Sequence, residues 1–201
     1  MTTPHSFTRR SLLRRTAASV ALAASVGPML AACDTQDGVS AGELPKPDWF
    51  GANPTPTPQH EVTLEPDLRV RMRDGVELAT DIYRPVGVTG ALPTILIRTQ
   101  YGKSPYRPPE FKKTQPGIFA GQGYTVVVQE LRGLFNSGGS YALGEHDATD
   151  GYDTLTWIAS QPWSNGRVGT YGCSSLGINQ VLLAPLRHPA HTCAIAGGSG
   201  G

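Results

Sequence analysis

The residues best suited to chemistry lie in Gly172-Cys173-Ser174-Ser175-Leu176-Gly177. A β-branched stretch over Arg167–Tyr171 predicts a short strand before them, and Ser174–Arg187 predicts a helix after them. A serine at such a strand-to-helix turn is held in strained backbone geometry with its hydroxyl above the sheet edge, which suits nucleophilic attack on an acyl carbon. The glycines are needed because side chains there would strike the neighbouring strand and helix. The helix start presents free backbone N–H groups, that of Ser175 among them, able to hold a developing oxyanion. The pattern G-x-S-x-G is half met: Gly172 stands two residues before Ser174, but Gly177 stands three after it. Ser175 as nucleophile would meet the second glycine and lose the first. Ser174 is preferred, because the position before the tightest point most needs a small residue.

The elements that must hold this turn are legible from residue 60 onward. Val62, Leu64, Leu68, Val70 and Met72 fall mostly two apart, and Asp74-Gly75 turns the chain into Val76–Tyr83, which predicts an antiparallel hairpin. Pro93–Thr99 and Tyr124–Gln129 carry unbroken apolar runs, the signature of strands buried on both faces of a parallel sheet. Phe111–Ala120 predicts a weak helix ended by Gly121 and Gly123. Asp147–Ser160 predicts a stronger one from Tyr152, Leu155, Ile158 and Ala159. Its acids Asp147, Asp150 and Asp153 read as charges favoured by the helix dipole rather than as catalytic groups. With a last strand at Thr192–Ala196 the order is β-β-β-α-β-α-β-α-β, an α/β sheet that is mostly parallel after an antiparallel opening.

Composition limits the alternatives. The 201 residues include 24 Gly and 17 Pro, well above the roughly 12% usual for the two together, yet 39% are hydrophobic. The chain is therefore turn-rich and globular. A net charge of +1 supplies no field for holding nucleic acid by counterion release. Residues 1–32 read as an export signal: twin arginines in Thr8-Arg9-Arg10-Ser11-Leu12-Leu13-Arg14, then an apolar run from Thr16 to Leu30 too short to span a bilayer. Leu30-Ala31-Ala32-Cys33 resembles the lipobox of bacterial lipoproteins, which makes Cys33 the expected lipidation site and anchors the exported chain in the bacterial envelope. Residues 33–59, with Pro45, Pro47, Pro54, Pro56 and Pro58, form a tether, and residues 60–201 the folded domain. Cys173 and Cys193, at the end of one parallel strand and the start of the next, are expected to be unpaired, small and buried. No metal-ligand spacing occurs, so neither metal nor cofactor is expected.

Several ordered segments carry a family resemblance. Val70-Arg71-Met72-Arg73-Asp74-Gly75-Val76-Glu77-Leu78-Ala79-Thr80-Asp81-Ile82-Tyr83-Arg84-Pro85 resembles the opening hairpin of the cocaine esterase and X-Pro dipeptidyl-peptidase group of serine hydrolases. So do Gln129-Glu130-Leu131-Arg132-Gly133 with Ser137-Gly138-Gly139, Asp150-Gly151-Tyr152-Asp153-Thr154, and Trp157-Ile158-Ala159 with Gln161-Pro162-Trp163. Asn165-Gly166-Arg167-Val168-Gly169 running into the serine turn completes the set, over roughly residues 61–200. The resemblance implies the N-terminal part of an α/β-hydrolase fold, incomplete at its C-terminus, and cleavage of small esters, amides or peptides through an acyl-serine intermediate. It implies Ser174 as nucleophile, the Ser175 backbone N–H as one oxyanion donor and the Tyr101 hydroxyl as the other. The chain departs from the family pattern at Ser175, where Tyr is usual, at Gln100, where Pro is usual, and at Glu130, where Asp is usual.

A serine hydroxyl attacks only when a histidine takes its proton and a carboxylate orients that histidine. In α/β hydrolases both follow the serine in sequence. None of the 27 residues after Ser174 is Asp or Glu. His188 and His191 fall between a helix and the next strand, at the sheet edge opposite the turn, and read as structural; His146 lies upstream, in the wrong order. The triad Asp and His are thus expected outside this chain, which reads as a hydrolase fragment inactive by itself. The other reading is a non-catalytic envelope lipoprotein that keeps the half-fold for binding or for no role.

Overall fold

The computed structural model describes residues 56–107, 109 and 113–199. Cys33, the signal 1–32 and the tether up to residue 55 lie outside the described residues. The hairpin forms as the alternation requires, from β1 (Val62–Arg71) and β2 (Glu77–Pro85), with Gly75 at φ +89° in the turn. Then follow β3 (Leu92–Thr99), α1 (Gln115–Gly121), β4 (Thr125–Glu130), α2 (Asp147–Ala159), β5 (Ser164–Cys173), α3 (Ser175–Leu183) and β6 (His191–Gly197). The strands lie in the order β1-β2-β4-β3-β5-β6, with β1, β2 and β4 antiparallel and β4, β3, β5 and β6 parallel. Two expectations shift. Strand β5 begins at Ser164 rather than Arg167, since the Trp163 carbonyl already accepts the Leu92 N–H. Helix α3 ends at Leu183, followed by a 3₁₀ turn over Ala184–Leu186 in which Pro185 cannot continue the α-helical ladder.

The apolar runs are unbroken because both faces of the sheet are covered. Leu96 and Val127 pack on one face with Leu155 and Ile158 of α2 and Leu183 of α3. Their neighbours Ile97, Val126 and Val128 pack on the other with Ala120 of α1 and Tyr83. All six residues of β4 are buried.

Strand order reverses at β3: the chain passes from β3 to β4 on one side, then crosses to β5 on the other. In open parallel sheets, ligands bind beyond the carboxyl ends of the strands at such a reversal. Here those ends carry Tyr101 after β3 and Ser174 after β5.

The cysteines correct one expectation. Both are unpaired, but both are exposed rather than buried. Among the described residues no strand pairs with β6 on its far side, and Cys173 is the last residue of β5 before the turn. Cys193 stands opposite Gly169, and Cys173 opposite Gly197. The four residue steps from Gly169 to Cys173 separate the two cysteines by about 13 Å along the strand, beyond disulfide reach. In a chain carrying Cys33→Ser, a thiol reagent such as dithionitrobenzoate should therefore titrate two thiols without denaturant. A native titre below one would contradict this exposure.

Candidate active site

The turn after β5 is built as a nucleophile would need. Ser174 has φ +58° and ψ −126°, a conformation rarely open to a side-chain-bearing residue, and its side chain is exposed. The neighbours hold it there. The Ser174 N–H donates to the Gly197 carbonyl of β6 (2.8 Å), and the Ser174 carbonyl accepts the N–H groups of Gly177 (2.8 Å) and Ile178 (3.0 Å). Ser175 and Leu176 open the helix, so their N–H groups have no intrahelical acceptor.

The half-met glycine pattern now has a physical account. A Cβ on Gly172 would lie 2.3 Å from the Leu176 Cβ, so Gly172 leaves the room that Leu176 fills on the next turn. A Cβ on Gly177 would lie 2.7 Å from the Gly197 carbonyl oxygen, so the second glycine serves the approach of α3 to β6.

Tyr101 reaches the same sheet edge from the adjacent strand. The parallel pairing of β3 with β5 runs as far as Leu96 and Thr170, and the two strands then end at Thr99 and Cys173 at the same edge of the sheet. The Tyr101 N–H donates to Thr99 Oγ1 (2.9 Å), and its ring is 53% exposed. Two buried amides that the sequence did not single out tie the pieces together. Asn179 Nδ2 donates to the Arg98 carbonyl (2.9 Å), joining α3 to the end of β3. Gln180 Nε2 donates to the carbonyls of Leu176 (2.8 Å) and Ile195 (3.2 Å), while its Oε1 accepts the Thr170 hydroxyl (2.9 Å). Both sit on the inner face of a short apolar helix, where a buried polar side chain must find partners; that was the available signal.

The two histidines after the serine turn and the acids Asp150 and Asp153 of α2 are engaged elsewhere. His188 is buried, bonded through Nε2 to the Thr156 hydroxyl and through Nδ1 to the Ala190 N–H, with Tyr152 edge-on. His191 bonds the Thr170 hydroxyl. Burial holds both imidazoles below their usual pKa of 6.5. His191 opens β6 and His188 lies three residues before it, both at the edge away from Ser174, as the sequence led one to expect. The acids of α2 do more than attend a helix end. Asp150 is buried and pairs with Arg132, and Asp153 pairs with Arg73 across to the hairpin. Among the described residues no group of three or more His, Cys, Asp or Glu side chains is placed to hold a metal ion. A cavity of about 490 Å³, with Thr94, Phe119, Arg167 and Thr192 among its lining, opens towards the N-terminal ends of β3, β5 and β6, at the edge opposite the serine turn.

Comparison with known proteins fits this arrangement. The sequence profile of the X-Pro dipeptidyl-peptidase (S15) family matches residues 74–200. The chain belongs to the S15 family. Within that group it is 42% identical over 118 residues to the cocaine esterase of Rhodococcus sp. (strain MB1 Bresler), an alignment covering 59% of this chain and 20% of that enzyme. A CocE/NonD family hydrolase from Staphylococcus aureus superposes with a TM-score of 0.60 at 30% identity, covering 68% of this chain and 27% of the other. An α-amino acid ester hydrolase does so with a TM-score of 0.60 at 29% identity, covering 76% and 28%. The fold is thus that of the α/β hydrolases. The chain spans about a fifth of the length of the cocaine esterase it matches. The S15 profile takes in the whole arrangement from the hairpin turn at Asp74 past the serine turn.

Proposed function

We propose that this chain carries the nucleophile and oxyanion hole of an acyl ester or amide hydrolase that works through an acyl-serine intermediate. The Ser174 Oγ attacks the substrate carbonyl, the Ser175 N–H and the Tyr101 hydroxyl hold the resulting oxyanion, and collapse expels the alcohol or amine. The observation that carries this reading is Ser174 at φ +58° on a strand-to-helix turn. Membership of a hydrolase family supports it. The base that takes the serine proton is not His188 or His191, which are bonded elsewhere. The 201 residues by themselves therefore do not turn over. The protein acts outside the cytoplasm, exported by its twin arginines and held to the membrane by lipid on Cys33.

A thiol in place of the serine tests the hole without a base, because a helix N-terminus lowers a thiol pKa enough for attack at neutral pH. In a chain carrying Cys33→Ser, Cys173→Ser, Cys193→Ser and Ser174→Cys, p-nitrophenyl acetate acylates the new thiol through an oxyanion. Iodoacetamide alkylates it without one. The ratio of the two rate constants isolates the hole. Adding Tyr101→Phe should lower that ratio about 100-fold, the scale of a lost oxyanion donor. An unchanged ratio would remove Tyr101 from the hole. A thiol no more readily acylated than free cysteine would remove Ser174 as nucleophile. The unsubstituted chain should form no fluorophosphonate adduct, and a fast Ser174-dependent one would show that it has its base after all.

A further inference from the structure

Glu130 ends β4 with its side chain 2% exposed. Its Oε1 accepts the N–H of Lys103 (3.1 Å), and its Oε2 accepts the N–H of Asn136 (2.9 Å). Lys103 is two residues past Tyr101, and Asn136 follows Phe135 in the next loop. One carboxylate thus clasps two loops that leave neighbouring strands. Where they meet, the Phe135 ring lies 3.2 Å from the place a Cβ on Gly102 would occupy. Phe135 (φ +49°) and Gly102 (φ +85°) both adopt left-handed backbone to make that contact.

Charge converges on the same loop from below. The Lys103 ammonium, 1% exposed, lies 3.3 Å from Glu130 Oε2, 3.1 Å from Asp67 Oδ1 and 3.8 Å from Asp81 Oδ1. Arg107 grips Asp81 through Nε and Nη2, both at 2.7 Å, and reaches Asp67 at 2.7 Å. Asp67 itself has φ +57° at an irregularity of β1, and the Arg107 guanidinium beside it holds its carboxyl below the usual range. The Tyr83 hydroxyl donates to the Tyr106 carbonyl (3.1 Å), and the Leu131 N–H to the Thr99 carbonyl (3.0 Å). Every one of these contacts falls on residues 99–107, on both flanks of Tyr101. Burying three charged groups, Lys103, Glu130 and Asp81, is a poor way to gain stability, and its best-attested use is to select one conformation. The conformation selected here is that of the Tyr101 loop.

We propose that Glu130 is the positioning residue of the oxyanion tyrosine: by accepting the amides of Lys103 and Asn136 together, it fixes the Thr99–Arg107 loop so that Tyr101 meets the Ser174 turn. The inference rests on the reading of Tyr101 as an oxyanion donor. A carboxylate is required, because two N–H groups and an ammonium all point at it. A glutamine offers one acceptor oxygen and would turn its NH₂ towards one of the donors.

Glu130→Gln in the four-substitution thiol chain tests this through the same pair of reagents. The acylation-to-alkylation ratio should fall about tenfold or more, as a displaced catalytic group does, with the alkylation rate unchanged. Added to Tyr101→Phe, Glu130→Gln should lower the ratio no further. A full ratio in a folded Glu130→Gln chain overturns the proposal, as does a further fall in the double variant, which would mean Glu130 acts apart from Tyr101. If Tyr101→Phe alone has no effect, the oxyanion reading fails first, so the two failures are told apart. Should Glu130→Gln not fold, Glu130→Asp decides by the same ratio. It keeps the charge in the cluster but draws the oxygens back by one methylene, off the two amides, and a full ratio there overturns the proposal equally.

Discussion

Gly172→Ala should all but eliminate acylation of the thiol chain while leaving the sheet folded. The new methyl carbon would come within 2.3 Å of the Leu176 Cβ and 3.2 Å of the Leu176 carbonyl carbon. Neither is the free end of a flexible side chain, so the end of β5 and the start of α3 must separate. That movement releases the Ser174 φ of +58° and turns the N–H groups of the helix start away from the attacking atom. A misplacement of about 1 Å costs about 100-fold in reactions that depend on orientation. The overpacking itself should destabilise the chain by about 1–3 kcal/mol. The ratio of acylation to alkylation reads the first effect, and thermal unfolding followed by circular dichroism reads the second. Adding Leu176→Gly removes the struck Cβ and should restore part of the acylation, though not the stability, since Leu176 is 93% buried against the sheet. Gly172→Ala without effect would mean that the turn is looser than its geometry.

Asp150→Ala should give the largest loss of stability, about 3 kcal/mol or more, lowering the melting temperature by about 10 °C. Asp150 and Arg132 are both nearly inaccessible, 2% and 7% exposed, and meet through two charge-assisted bonds of 2.7 and 2.9 Å. Removing the carboxylate leaves Arg132 leaning on Asp74 alone, whose own carboxyl that guanidinium holds near a pKa of about 2. Asp74 is 45% exposed, so water screens the one pairing that remains. The contrast within the same helix is the control. Asp153 pairs with Arg73, whose side chain is 57% exposed, and Asp153→Ala should cost less than about 1 kcal/mol. Equal melting temperatures for the two variants would show that burial does not govern these pairs.

Both comparisons bear on what could be read from residue types. The apolar runs of β3 and β4 declared a parallel sheet because two covered faces leave no polar alternation, and the hairpin declared itself by alternation around Asp74-Gly75. The serine turn was legible because few backbone paths join a strand to a helix so sharply, and glycine is the residue that permits them. The acids of α2 were read as helix-end charges, because sequence spacing within a helix says nothing of an arginine on a distant loop. Arg132 lies 18 residues from Asp150, and Arg73 lies 80 from Asp153. Cys173 and Cys193 read as buried yet are exposed, because the burial of a strand residue depends on what packs against it and not on its type.

The sequence by itself determined the fold class and the turn that bears Ser174, because these depend on local periodicity and on which residues tolerate strained backbone, while Tyr101 came only with the family resemblance. Why the second glycine stands one place late and how Glu130 joins two loops were decided by tertiary structure alone. Those answers depend on contacts between residues far apart in the chain, Gly197 with Gly177 and Glu130 with Lys103, and only packing the sheet brings such groups into contact.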